Sequence, residues 1–298
     1  MHAIAVTPTP QDRITDIAGL RVGNAEDRRV RTGTTVLLPD EPVAVGVDIR
    51  GGAPGTRETA ALDPCALVDR CHGIVLSGGS VFGLAAADGV TRWLAARGRG
   101  LALGPMHVPI VPAAILFDLL NGGDKSWGDE PPYRTLGIAA AEAAGVDVAV
   151  GRVGAGFGAV AGDRPGGLGT AAAEAASGFR VGALVAVNSF GMPLDDDLGR
   201  VPLPKAPLAA ASTTIAIVAT DLALDKAGCR RLAIMAHDGL ARALRPVHTP
   251  YDGDTVFALA TGAVAPDDPL PLSLGVAGTM AADVLARAIA RAIELSAR

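Results

Sequence analysis

Short apolar runs, rich in β-branched residues and bounded by Gly or Pro, most constrain what this 298-residue chain can fold into. Residues 34–38 (TTVLL), 43–49 (VAVGVDI) and 74–76 (IVL) are too short for core helices, so the pattern predicts buried strands. Thirty-eight glycines and abundant Ala suit closely packed layers of sheet and helix. Further strands are predicted at residues 147–153, 181–187, 214–220 and 256–261, and helices from Ser80, as N-cap, to about residue 97 and at residues 136–144, 225–245 and 281–297.

Composition and charge exclude several classes of protein. A chain with 49% hydrophobic and 19% charged residues is not intrinsically disordered. A net charge of −5 and an aromatic content of 3% argue against nucleic acid or an anionic membrane as the main partner. No window reaches about 18 uninterrupted apolar residues, and the N-terminus lacks the basic start and apolar run of a signal peptide. We therefore expect a cytoplasmic protein without a membrane partner.

Metal and cofactor motifs were sought among the cysteines, histidines and Gly-rich segments. The cysteines lack the spacing of metal ligands and are predicted to be buried free thiols in a reducing cytosol. The Gly-rich segments 151–158 and 166–169 match neither the dinucleotide nor the phosphate-loop pattern, and residues 77–80 do not form a nucleophile elbow. No metal or organic cofactor is expected. The residues concerned are Cys65, Cys71 and Cys229, and the scattered histidines interpreted as structural are His72, His107, His237 and His248.

The best internal boundary of the chain is the segment 192–212 (MPLDDDLGRVPLPKAPLAAAS). It contains four prolines and three consecutive aspartates, and it shows no usable periodicity. A linker of about 20 residues is unusual inside a compact domain. The next residues, 213–220 (TTIAIVAT), are strongly strand-like. The sequence therefore predicts an exposed, flexible linker that delivers Thr213 to the first position of a buried strand.

A chain cut between Ser212 and Thr213 would carry a nucleophile at its new N-terminus. The hydroxyl of an N-terminal threonine attacks carbonyls, and its own α-amine serves as the base beside it. An α-amine has a pKa near 7.7–8.0, so a useful fraction is unprotonated at neutral pH. The same hydroxyl can make the cut by attacking the carbonyl of Ser212. The alternative interpretation is an ordinary strand that follows a Pro-rich loop.

Two further polar positions fit such a site. Asp252 and Asp254 flank one Gly just before a predicted strand, and residues i and i+2 of an extended segment point to the same side. Both carboxylates could then hold the amine and hydroxyl of Thr213. Asn188 ends an apolar strand, where its amide could donate to an oxyanion. The alternatives are a polar Asp-Gly turn and an Asn in a turn that ends a strand.

Seven segments carry a resemblance to a known family. They span nearly the whole chain in family order and resemble the self-processing N-terminal-nucleophile hydrolases. That family includes L-aminopeptidase D-amidase/esterase, the β-peptidyl aminopeptidases and the endo-type 6-aminohexanoate-oligomer (nylon oligomer) hydrolase. The segments are ITDIAGLRVGNA (14–25), TGTTVLLP (32–39), DIRGGAPGTRET (48–59), LSGGSVFGLAAADGV (76–90), GALVAVNSFG (182–191), STTIAIVATD (212–221) and MAHDGLARALRPVHTPYDGDTVFALATG (235–262).

The resemblance implies an α/β fold, a layered α-β-β-α sandwich in which residues 1–298 form a single hydrolase domain. It implies self-cleavage into fragments 1–212 and 213–298, with Thr213 as the nucleophile. Asp252, Asp254, Asn188 and Tyr133 match the family's remaining active-site residues. The Asp-Gly-Asp form and residues 114–133 resemble the nylon-oligomer branch most. The implied substrates are short linear amides, which are 6-aminohexanoate oligomers or the N-terminal residues of peptides, and the implied assembly is a homotetramer.

The sequence departs from the family pattern at two places. Ser212 stands where many relatives have Asn, and Arg164-Pro165 stands where the family usually has a Lys ahead of Gly-Gly-Leu-Gly. Three alternatives therefore stay open besides the nylon-oligomer hydrolase. They are an L-aminopeptidase/D-esterase or β-peptidyl aminopeptidase, an acyltransferase resembling the ornithine acetyltransferases, and an unprocessed binding protein without catalysis.

Overall fold

Two stacked β-sheets between two pairs of helices make up the architecture. The computed structural model describes residues 4–194, 212–266 and 269–297. The helices are α1 (Ala85–Ala95), α2 (Tyr133–Glu142), α3 (Lys226–Ala243) and α4 (Leu270–Ser296). The strands are β1 (Val6–Pro8), β2 (Leu20–Asp27), β3 (Thr32–Pro39), β4 (Ala44–Ile49), β5 (Thr56–Arg57), β6 (Ile74–Ser77), β7 (Leu101–Leu103), β8 (Met106–Val108), β9 (Ala113–Ile115), β10 (Val160–Ala161), β11 (Arg164–Pro165), β12 (Gly167–Ala175), β13 (Arg180–Asn188), β14 (Met192–Pro193), β15 (Thr213–Leu222), β16 (Leu244–Arg245) and β17 (Thr255–Val264).

Strand β15 lies inside the larger sheet, whose order is β1-β12-β13-β15-β17-β4. It pairs antiparallel with β13 and parallel with β17. The second sheet has the order β2-β3-β6-β9-β5. Nine of the ten residues of β15 are buried, which explains its almost uninterrupted apolar and Thr composition.

Alternation along the strands assigns each sheet face to a layer. In β15, Ile215 and Ile217 pack into the core between the two sheets, whereas Ala216 and Val218 pack against α3 and α4. The outer face of the second sheet is covered by α1 and α2. These three cores separate four layers, so the predicted α-β-β-α sandwich is confirmed.

Helix α4 is the one helix in the described ranges that is long and apolar enough to cross a membrane by length and composition. Of its most apolar window, 56% is buried inside the protein. The helix lies on β12 and β13, and a Cβ at Gly169 would stand 2.0 Å from the carbonyl oxygen of Ala288. Gly169 therefore permits this close approach, and the apolar helix is a core element.

Several local predictions were wrong. Residues 147–153 form no strand; one bridge joins Gly151 to Leu168, and Val148 and Val153 pack against the core between the sheets. Ser80 is not an N-cap, because it lies inside a short 3-10 turn with φ of 51°. Helix α4 begins 11 residues before the predicted start at residue 281, because its Gly-rich first half carries few charges to mark an exposed face. Cys65 is exposed, whereas the other two cysteines are buried as predicted.

Only the two ends of the predicted linker 192–212 can be compared with the structure. Met192 and Pro193 form β14, which pairs with β16, and Ser212 makes a parallel bridge to Asp252. Residues 195–211 lie outside the described residues. The linker therefore starts and ends on ordered strands.

Candidate active site

Thr213, the predicted nucleophile, occupies the first position of β15 and lies opposite Asn188 of β13. It shares the face of Ile215 and Ile217, so its side chain points into the space between the two sheets. Only 4% of the residue is exposed. The strand pattern thus delivers the hydroxyl to the rim of the inter-sheet core.

The peptide bond before Thr213 is held by two hydrogen-bond donors. The Thr213 hydroxyl donates to the carbonyl oxygen of Ser212 over 2.5 Å. The backbone N–H of Gly253 donates to the same oxygen over 3.0 Å. Negative charge would develop on this oxygen if the hydroxyl attacked the carbonyl carbon. The hydroxyl of the predicted nucleophile and a backbone N–H that could serve as an oxyanion donor therefore meet at the predicted cleavage point.

Gly253 lies directly beside the nucleophile and has no room for a side chain. A Cβ at this position would stand 2.7 Å from the Thr213 hydroxyl oxygen and 2.9 Å from the carbonyl oxygen of Ala53. The loop after β4 closes this side, because the Ala53 N–H donates to the Asp252 carbonyl and the Arg50 N–H to the Asp254 carbonyl. In the Asp-Gly-Asp sequence, the two aspartates thus contribute side chains, and the glycine between them lets the backbone approach Thr213 closely.

Asp252 and Asp254 share one side of the chain, as the i, i+2 spacing predicts. In β17, Val256 and Ala258 face α3 and α4, and both carboxylates continue that face. They therefore lie on the side of the sheet opposite the Thr213 hydroxyl. Among the described residues neither carboxylate bonds to that hydroxyl, and the nearest link is from the Thr214 N–H to Oδ1 of Asp254 at 2.9 Å.

The two carboxylates have different surroundings. Oδ2 of Asp252 accepts from the hydroxyl and the N–H of Thr249 at 2.6 and 3.0 Å. Burial, and then the charge of Asp254 nearby, raise the pKa of Asp252. Both oxygens of Asp254 are occupied, since Oδ1 accepts from Thr214 and Oδ2 accepts from the N–H of His248 at 2.9 Å. The two carboxyls therefore differ in environment, since Asp254 is fully hydrogen-bonded whereas the pKa of Asp252 is raised by burial.

Asn188 points into the same inter-sheet space as Thr213. Its Nδ2 donates to the Phe117 carbonyl over 3.0 Å, and its Oδ1 accepts from the Val160 N–H over 2.9 Å. An Asn amide has two N–H donors. One of them therefore remains for an oxyanion or a substrate carbonyl.

Tyr133 is linked to Asn188 through the Phe117–Asp118 segment, since Nδ2 of Asn188 donates to the Phe117 carbonyl and Asp118 holds the turn on which Tyr133 packs. It begins α2, and its ring packs edge-on against Trp127 at a centroid distance of 6.0 Å. Its phenol lies where a Cβ of Gly79 would be. Burial raises the pKa of Tyr133. The structure thus associates Tyr133 with the Gly78-Gly79 turn, and this turn is held by Asp118, whose Oδ1 accepts the Gly79 N–H at 2.7 Å.

Two histidines that the sequence left as structural lie directly behind the carboxylates. Nδ1 of His248 is 2.8 Å from Oδ2 of Asp254, and the His237 ring packs edge-on against the His248 ring at 4.9 Å. The available signal was that His248 lies in the same turn as Asp252 and Asp254, only four and six residues before them. Arg164, in contrast, is exposed and has its ion-pair contact with Asp163 at 4.0 Å.

No group of three or more His, Cys, Asp or Glu side chains within the described ranges is arranged to hold a metal ion. The site brings together a hydroxyl, an amide, backbone N–H groups and a carboxyl pair. Such a set supports acyl transfer.

Comparison with known proteins identifies the family. The family model described as peptidase family S58 matches residues 12–297. The chain belongs to peptidase family S58. An uncharacterized aminopeptidase of Mycobacterium tuberculosis is 46% identical, over 93% of this chain and 92% of that protein. A 6-aminohexanoate-oligomer endohydrolase of Kocuria sp. is 29% identical, over 83% of this chain and 74% of that protein.

Solved structures agree with this S58 assignment. A β-aminopeptidase of Burkholderia sp. superimposes with a TM-score of 0.74 at 26% identity, over 97% of this chain and 88% of that one. The L-aminopeptidase D-Ala-esterase/amidase of Ochrobactrum anthropi, described as a variant of the Ntn hydrolase fold, gives 0.73 at 23% identity, over 96% and 86%. The predicted family resemblance is confirmed, and the S58 chain is a hydrolase of amide or peptide bonds.

Proposed function

We propose that this S58 peptidase cuts its own chain between Ser212 and Thr213 and then hydrolyses short linear amides through an ester on Thr213. The contact that supports this proposal most directly is the Thr213 hydroxyl on the Ser212 carbonyl oxygen, which also accepts the Gly253 N–H. This arrangement brings together a nucleophile, its carbonyl and an oxyanion donor where the start of β15 meets the turn before β17.

Self-cleavage proceeds in two steps. The Thr213 Oγ attacks the carbonyl carbon of Ser212, the C–N bond breaks, and the Thr213 nitrogen takes up a proton as it becomes an amine. Water then hydrolyses the ester, which releases the Ser212 carboxylate and restores the hydroxyl. The products are fragments 1–212 and 213–298.

Turnover repeats this chemistry on a substrate. The Thr213 hydroxyl attacks the substrate carbonyl, with the freed α-amine as base, and the amine part of the substrate leaves. Water then releases the acyl part from the ester. Asn188, with its free N–H, is suited to stabilise the oxyanion, and Asp254 holds the adjacent Thr214 amide.

The fragments remain one unit after the cut. Strand β15 begins the second fragment, yet it pairs along eight positions with β13 of the first fragment. Strand β17 likewise pairs with β4. We therefore keep a single hydrolase domain of residues 1–298 in the proposal. A homotetramer is also part of it, supported by the exposed apolar side chains of the β7–β8 hairpin, Leu101, Leu103 and Met106.

Two substrate groups are included in the proposal. The mycobacterial and Burkholderia relatives are named as aminopeptidases, which favours N-terminal residues of peptides or β-peptides. The Kocuria relative is named for 6-aminohexanoate oligomers, which favours ω-amino acid amides. Both groups are linear amides with a free amine.

The experiment that tests the proposal uses wild-type protein and Thr213→Ala. A denaturing gel with intact-mass measurement should show fragments 1–212 and 213–298 for wild type and one whole chain for the variant. Thr213→Ser should retain some cleavage. Amino-acid p-nitroanilides and 6-aminohexanoate oligomers are then offered to each protein. Fragments or hydrolysis from Thr213→Ala would exclude Thr213 as the nucleophile.

A further inference from the structure

His237 is buried and His248 is partly buried, and neither takes part in the proposed acyl transfer. His248 contacts Asp254 twice, through its backbone N–H at 2.9 Å and its Nδ1 at 2.8 Å, both on Oδ2. Its backbone has φ of 57°, a left-handed conformation that is uncommon for a residue other than Gly. The turn therefore holds a strained backbone in place while both His248 donors point at one oxygen.

His237 supports His248 from helix α3. The two rings pack edge-on at 4.9 Å, and Nε2 of His237 lies 3.0 Å from the carbonyl oxygen of Asp48. A carbonyl only accepts hydrogen bonds, so Nε2 carries the hydrogen and the ring is neutral when Nδ1 is bare. Burial lowers the pKa of His237 to about 4, which agrees with a neutral ring. A neutral His237 exerts no charge repulsion on His248.

These contacts form a continuous connection from helix α3 to the nucleophile. Asp48, next to Arg50, fixes His237, and the ring of His237 limits the position of His248. His248 fixes Oδ2 of Asp254, and Oδ1 of the same carboxylate holds the Thr214 N–H. Each contact determines the position of the next group, and the last one orients the residue that follows Thr213.

We propose that His248 is a positioning residue that, backed by His237, holds Asp254 on the Thr214 amide and so keeps the Thr213 hydroxyl aligned with the carbonyl that it attacks. The inference rests on the proposed function, because it concerns the geometry of that same nucleophile. His248 has no contact with the reacting atoms in this account and acts through Asp254. A misplacement of about 1 Å can lower a rate by about 100-fold.

Self-cleavage gives a measurement that needs no substrate. Wild type, His248→Ala and His248→Asn are translated in a cell-free system, and loss of the whole chain is followed on a denaturing gel. We expect His248→Ala to cleave at least about tenfold more slowly. We expect His248→Asn to remain within about threefold of wild type, because its amide N–H takes the place of Nδ1–H and Asn tolerates the left-handed backbone. His107→Ala, in the exposed β7–β8 hairpin, is the matched control.

The results separate positioning from folding and from the proposed function. Each variant is also made in the Thr213→Ala background, where the chain stays whole, and its melting temperature is measured. Slow cleavage by His248→Asn equal to that of His248→Ala, or wild-type cleavage by His248→Ala, would overturn the positioning role alone. Loss of cleavage that follows loss of melting temperature in both variants would also overturn it. A wild-type chain that never cleaves overturns the proposed function and this inference together.

Discussion

The Gly253→Ala variant would test the cleavage geometry with the addition of one methyl group. The new Cβ would stand 2.7 Å from the Thr213 hydroxyl oxygen and 2.9 Å from the Ala53 carbonyl oxygen, and both distances are shorter than real Cβ contacts. The Thr213 hydroxyl, or the Gly253 N–H that shares its target oxygen, must therefore move. Either movement weakens the approach to the Ser212 carbonyl.

The expected loss can be derived from those two contacts. Removing one oxyanion donor costs about 100- to 1,000-fold in rate. Displacing a nucleophile by about 1 Å costs about 100-fold. We therefore expect Gly253→Ala to cleave itself at least about 100-fold more slowly than wild type, while most of the fold remains intact because the clash is confined to the turn.

The assay is the time course of the whole chain on a denaturing gel after cell-free translation. Gly275→Ala is the matched control, because a Cβ at this helical position meets nothing within 4 Å, and Ala favours a helix over Gly. It should cleave like wild type. A Gly253→Ala chain that cleaves at the wild-type rate would refute the assignment of the Gly253 N–H and of the Thr213 hydroxyl geometry.

Further predictions concern the remaining residues of the site. The pKa of Asp252 is raised above its unfolded value, so its ionisation opposes folding, and stability falls as pH rises from about 4 through the folded pKa. In the Thr213→Ala background, Asp252→Asn should therefore melt at or above the reference temperature at pH 8 and lose less stability as pH rises from about 4, whereas in the active chain it should hydrolyse substrate at least about tenfold more slowly. Asn188→Leu should lose activity by about 100-fold and lower the free energy of unfolding by about 1–3 kcal/mol, because two partly buried backbone groups lose their partner. Tyr133→Phe should hydrolyse p-nitroanilides at a rate within about threefold of wild type, because the ring packs on Trp127 and Gly79. A rate loss above about 100-fold would show instead that the Tyr133 hydroxyl acts on the reacting groups. Self-cleavage and turnover should have different pH profiles, because the Thr213 amine exists only after the cut, and superimposable profiles would remove the amine from its role as base.

The larger part of the fold was predictable from strand patterning and family resemblance. The run at residues 214–220 is apolar on both faces because one face of β15 packs into the core between the two sheets and the other packs against the helices. Burial on both faces is therefore visible in the sequence as a nearly continuous apolar run. The segment 147–153 failed for the opposite reason. Val148 and Val150 alternate as in a strand. The chain there crosses the end of β12, however, and it pairs with that strand through one bridge, from Gly151 to Leu168.

The clustering of the candidate residues was predictable where residue type marks a strand end and unpredictable where the contact is made by backbone or depends on how a turn closes. Thr213, Asn188 and the carboxyl pair are marked by residue type at strand ends. The Gly253 N–H has no such mark, because any residue carries an N–H and only the packing shows why this one is Gly. His248 was missed because its partner, Asp254, is recognised only once the turn is closed.

Thr213 and Asp254 lie on opposite faces of the larger sheet, and this limits what the carboxylate can do chemically. The hydroxyl of Thr213 faces the inter-sheet space, whereas Asp254 faces the helices and holds the Thr214 N–H. A carboxylate on that side cannot take the hydroxyl proton directly, but it lies one residue away from the nitrogen that cleavage turns into an amine. An ammonium forms its strongest hydrogen bonds with carboxylates. Asp254 is therefore placed to align Thr213 through the Thr214 N–H in both steps and, after the cut, also to orient the Thr213 amine, so Asp254 should matter more for turnover than for self-cleavage. Measuring both rates in Asp254→Asn tests this directly: turnover should fall further than self-cleavage, and equal losses in the two steps would leave Asp254 with the alignment role alone.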